Sequence, residues 1–178
     1  MFLPREVTRT ELQAAWKAGF QLSCTKILEH PQARYCWQPI VVWSVARYKD
    51  ESVMFLLAAA EFERKPSREA MMWIFEHFVG DGRKRKAQRE VNIQHEARDK
   101  TFELVTGYQN RNYRRGARPD AFSAALYSIK NQLHDIDRLF RTDVTNQAER
   151  EPTHQMKDLP EIVVDQELTR MRQLGILF

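Results

Sequence analysis

Residues Phe122–Phe140, FSAALYSIKNQLHDIDRLF, set their apolar side chains four and three apart, at Phe122, Leu126, Ile129, Leu133, Ile136 and Phe140. That alternation is the 3.5-residue repeat of a helix carrying one apolar seam. Such a seam requires another helix against it, supplied by the same chain or by a second copy. The reading of this stretch decides the fold class, because most of the chain repeats the pattern with a 3.6-residue period. With only six glycines in 178 residues, the expectation is an all-α, compact helical bundle.

Upstream, Val53–Glu63 (VMFLLAAAEFE) is apolar around nearly its whole circumference, which predicts the most buried helix of the bundle. Ser67 stands where an N-cap belongs, ahead of Glu69 and the apolar face of Ala70, Met71, Ile74, Phe75 and Phe78. Gly80-Asp81-Gly82 breaks that helix. Nearer the N-terminus, Thr8-x-x-Glu11 is a capping box for a helix that Gly19 ends, and a second helix is predicted over Gln21–Glu29. Pro39 opens Ile40–Tyr48, read as helix with strand as the alternative. Downstream, a polar helix is predicted from Arg83 to about Thr106, with Ala87, Val91, Phe102 and Val105 as its seam. Gly107–Pro119 reads as a loop, residues 142–157 as a linker, and Asp158-x-x-Glu161 as the cap of a last helix reaching Gly175. This organisation divides the chain into three stretches, unless all form one domain. They are a neutral bundle over 1–82, a basic helix-loop plus heptad helix over 83–141, and a linker and C-terminal helix over 142–178.

Charge divides the chain in the same places. Overall net charge is +4, yet residues 83–118 alone carry a net +7. They hold Arg83, Lys84, Arg85, Lys86, Arg89, Arg98, Lys100, Arg111, Arg114, Arg115 and Arg118 against Glu90, Glu96, Asp99 and Glu103. Residues 1–82 are neutral and 119–178 carry −3. Segregated positive charge holds polyanions even when the total is modest. Tyr108, Tyr113, Gln109, Asn110 and Asn112 add ring faces and amides among the arginines, the mixture that unpaired bases stack on and bond to. Arg83, Lys84, Arg85, Lys86 and Arg89 would crowd the N-terminus of the predicted helix, where the dipole disfavours cations.

The expectation is therefore a non-enzymatic nucleic-acid-binding protein, for DNA or RNA. Its phosphate contacts are Arg83–Lys86, Arg89, Arg111, Arg114, Arg115 and Arg118, and its stacking groups are Tyr108 and Tyr113. The alternative is a protein-interaction module, an adaptor, assembly component or inhibitor that docks the same arginines on an acidic partner. In that reading the seam residues Phe122, Leu126, Ile129, Leu133, Ile136 and Phe140 and the apolar end Ile176-Leu177-Phe178 serve as contacts, including self-association.

Other constellations fit less well. Ala15, Gly19 and Phe20 have helix-turn-helix spacing, but Thr25 stands where a branched apolar residue belongs and Lys26 is the only cation on the second helix. Leu133-His134-Asp135-Ile136 resembles the metal-ligating core of HD-type phosphohydrolases, a family that is also all-helical. The resemblance implies His95 and Asp158 or Asp165 as further ligands, and Asp137 replaces the family's glycine. In the seam's phase, however, His134 and Asp135 face outward, without the supporting shell that ligands need. Cys24, His30 and Cys36 lack a close pair and a fourth ligand, so neither metal nor cofactor is expected. Trp16, Trp37, Trp43 and Trp73 read as core. Gly-rich phosphate loops, G-x-S-x-G and H-E-x-x-H are missing from the sequence. No apolar run approaches the roughly 18 residues of a membrane span, Met1–Glu6 has neither the basic start nor the long apolar run expected of a secretory signal, and two cysteines make no disulfide framework, so the expectation is a reducing, cytoplasmic setting.

Overall fold

The computed structural model of the chain describes residues 40, 41, 44, 49–82, 86–110, 117–146 and 158–176. Their helices are α1 (Asp50–Arg64), α2 (Arg68–Ile74, continued by a π-helical turn over Phe75–Val79), α3 (His95–Asn110), α4 (Ser123–Ser128), α5 (Lys130–Asn146) and α6 (Asp158–Gln173). There is no strand among the described residues, and the Ile40–Tyr48 stretch is helical where it is described, at Ile40, Val41 and Ser44.

Helix α1 is the hub, packing on α2, α5 and α6. Its residues Val53 to Ala60 and Phe62 are all buried, as its uniform apolar surface dictates, and Asp50 and Glu51 in its first turn complement the helix dipole. Helix α2 starts where the sequence places its cap: Ser67 Oγ accepts from the Ala70 N–H at 3.1 Å. We expect Ser67→Ala to cost about 1 kcal/mol, read as a small drop in the urea midpoint.

The seam is used within the chain. Phe122, Ile129, Leu133 and Ile136 are buried, and Leu126 packs partly buried against the same core. Phe122 meets Phe55 and Phe62 edge-on, with ring centroids 6.1 Å and 5.3 Å apart. Instead of one helix, the stretch is two, with a one-residue interruption at Ile129. The Ile129 and Leu133 N–H groups still donate to carbonyls four residues back, so the seam runs straight through. Helix α5 extends to Asn146, into the stretch expected to be linker.

The predicted helix from Arg83 to Thr106 is shorter and displaced. Residues 86–94 are not helical, α3 opens at His95 with Glu96 in its first turn, and it continues past Gly107 to Asn110. Two forces account for the change. Opening at His95 keeps cations off the helix N-terminus. The non-helical segment also satisfies the carbonyls left over at the end of α2, because the Arg89 and Val91 N–H groups donate to His77 and Phe78 oxygens at 2.8 and 2.9 Å. Val91 and Ile93 are buried while Asn92 and Gln94 are exposed, the alternation of extended chain.

Helix α6 ends as its sequence requires. Gly175 takes φ +68°, its N–H donates to Arg172 O, and the Ile176 N–H donates to Met171 O. This is a Schellman closure, and its usual apolar contact is present as buried Met171 and Ile176. Buried side chains from before residue 82, from 83–141 and from α6 join one apolar cluster.

Candidate functional site

Of the residues expected to touch phosphate, Lys86, Arg89 and Arg118 are described in full, and Tyr108 lies in the last turn of α3. Arg83, Lys84, Arg85, Arg111, Tyr113, Arg114 and Arg115 lie outside the described residues. So do the helix-turn-helix spacing over 11–30, the Cys24, His30 and Cys36 set, and Trp16, Trp37 and Trp43. Lys86 is exposed. Arg118 is exposed and hydrogen-bonded to Asp120, and that bond holds the Asp120 carboxyl below its ordinary value. Arg98, half-buried against Gly82, pairs with Glu90.

Arg89 is placed differently from a phosphate contact. Its guanidinium is half-buried between two carboxylates that are almost wholly removed from water. Nε donates to Glu167 Oε1 at 2.9 Å, and Nη2 reaches Glu167 Oε2 at 3.4 Å. Nη2 also stands 2.6 Å from Asp50 Oδ2, an ion-pair distance at which no N–H points squarely at the oxygen. Burial opposes the arginine's charge, but the attraction of Glu167 and Asp50 outweighs it and raises its pKa above the ordinary value. Glu167 Oε1 also accepts from His77 Nε2 at 2.6 Å, while His77 Nδ1 faces the Gln88 amide at 3.0 Å. The imidazole stacks on Trp73, with ring centroids 5.1 Å apart and planes 14° from parallel.

Each member arrives from a different element. Asp50 opens α1, His77 sits in the π-helical turn after α2, Arg89 lies in the non-helical segment, and Glu167 projects from α6. The cluster therefore braces four parts of the fold at one point. Beside it opens a pocket of about 410 Å³ lined by Trp73, His77, Gln88, Arg89, Gln166, Glu167 and Arg170. Trp73, read from sequence as core, is only partly buried and forms one wall. A histidine oriented by a carboxylate is half of a nucleophile-activating arrangement. Here the second ring nitrogen is occupied by Gln88, and among the described residues the lining holds no serine, threonine or cysteine for it to activate.

Of the residues of the phosphohydrolase resemblance, the side chain of Asp158 lies outside the described residues, and the others are not paired with one another. His134 and Asp135 are exposed on α5, with Asp135 facing Arg138. His95 lies at the start of α3, near Asp99, and Asp165 is exposed on α6. Among the described residues, no three His, Cys, Asp or Glu side chains gather as metal ligands, and no helix is long and apolar enough to cross a membrane.

His77, Glu167, Asp50 and Gln88 are invisible as a group in the sequence. Glu167 lies 90 residues from His77, and the only local sign is the one-turn spacing of Trp73 and His77. No family model matches the chain, and neither does any curated protein or solved structure.

Proposed function

We propose that the chain binds nucleic acid through its phosphate backbone. The contacts are Arg83, Lys84, Arg85 and Lys86 on one side of α3 in the sequence, and Arg111, Arg114, Arg115 and Arg118 on the other. Tyr108 and Tyr113 are stacking groups where bases are exposed. One observation carries the reading: the excess of +7 confined to residues 83–118. In the sequence, the non-helical segment and the 16-residue helix α3 separate the two runs. Arg89 is left out of the contact set because Asp50 and Glu167 hold it inside the fold.

The test is a plot of log affinity against log salt for random oligonucleotides. A slope of several units supports phosphate contact. Arg114→Glu with Arg115→Glu should weaken every sequence alike and lower the slope by about two, whereas unchanged affinity in a gel-shift titration removes this site.

A protein-interaction module is the second reading. It uses the same exposed cations on an acidic partner surface, where arginine is a common interface residue. Negligible oligonucleotide binding near physiological salt would select it.

A further inference from the structure

Resting on the nucleic-acid reading above, we propose that Tyr127 and Lys130 form a stacking platform for an unpaired base, so that the preferred ligand is single-stranded nucleic acid. Tyr127 is 77% exposed, against 39% for Phe102 and 40% for Leu139, the other large apolar side chains at the described surface. A bare ring is sequence-tolerant in what it accepts, since every base has a π-face. The ring is not alone. Lys130 Nζ stands 5.9 Å from its centroid, close enough for a cation–π contact. The ammonium is placed to meet a phosphate while the other face of the ring is left for a base.

Ser128 and Gln132, near Tyr127 and Lys130 along the chain, hold the neighbouring segment. Ser128 Oγ accepts from the Gln94 N–H at 2.7 Å, and the Gln132 amide donates to Asn92 O. These two bonds latch the extended segment beside α4 and α5, with the Asn92 and Gln94 side chains exposed. Amides offer both donors and acceptors to base edges. The chain leaving Lys86 becomes the latched segment, and Arg118 stands just ahead of α4. From Ala121 to His134 there is no carboxylate in the sequence, and the flanking acids Asp120 and Asp135 are engaged by Arg118 and Arg138. A phosphate approaching Lys130 therefore meets no acid from its own stretch of chain.

The experiment uses the full chain and fluorescence anisotropy with a labelled oligothymidine strand and a labelled duplex of equal length. Tyr127→Ala should weaken the single strand about 5- to 150-fold, Tyr127→Phe should retain binding, and the duplex should be insensitive to both. Lys130→Ala should lower the single-strand salt slope by about one. Tyr127 is at the surface, so matched urea midpoints will show that the variants remain folded. If Tyr127→Ala binds the single strand like the parent, or loses as much on the duplex, the platform is overturned while the phosphate reading stands. If the parent chain binds neither oligonucleotide, both are overturned together.

Discussion

Arg89→Ala is expected to destabilise the fold by about 3–5 kcal/mol. The substitution leaves Asp50 and Glu167, both almost fully buried, without the guanidinium that offsets their desolvation. An intact buried ion pair is weak evidence for stability, because removing two charges from water roughly cancels their attraction. Breaking one is strongly unfavourable, because a lone buried charge retains the whole penalty. Urea unfolding measures the effect directly. Adding Glu167→Gln to Arg89→Ala should recover part of the loss, since the two residues touch and their effects are not additive. A loss near 1 kcal/mol would mean that water reaches the carboxylates and that the brace is superficial. The same variant separates structure from binding: with Arg89 internal, the salt slope for oligonucleotides should stay where it is.

Phe122→Ala should cost a similar amount, about 3–5 kcal/mol, for a different reason. The ring is 2% exposed and fills the junction where α4 meets α1, edge-on to Phe55 and Phe62. Truncation forfeits the transfer of the ring from water, two aromatic contacts of roughly 0.5–1.5 kcal/mol each, and the packing around the cavity left behind. Phe122→Leu should recover a large share by refilling that volume. Chemical denaturation resolves both variants. A Phe122→Ala loss below 1 kcal/mol would show that α4 is loosely seated and that the seam does not hold it.

The legible part of the fold is local. The uniform apolarity of α1, the Ser67 cap and the Gly175 closure each arise from residues within a turn or two of one another, and each stands where the sequence puts it. The seam from Phe122 to Ile136 is legible because its period is long and regular. The segment 86–94 is ambiguous in sequence because Ala87 and Val91, four apart, fit a helix as well as Val91 and Ile93, two apart, fit an extended chain. Arbitration comes from the end of α2, whose carbonyls need donors. Charge is legible as a sum and not as a set of partners. Arg89 reads like its basic neighbours until Glu167, 78 residues on, is folded against it. Tyr127 stands seven residues before His134, at the same outward position of the seam, so its exposure follows from the phase that Phe122, Leu126, Ile129 and Leu133 set.

The π-helical turn after α2 stores orientation in chain length. The Gly80 N–H donates to the Phe75 oxygen at 2.7 Å, so Phe75–Val79 holds one residue more than an ordinary helical turn would. Each residue added to or taken from a helix rotates the remainder of that helix by about 100°. Glu76 is exposed within the turn, so what its position fixes is the length of the turn. Shortening the turn by a single position would swing the imidazole away from α6 and drive Phe78 outward, dismantling the brace without altering any of its four side chains.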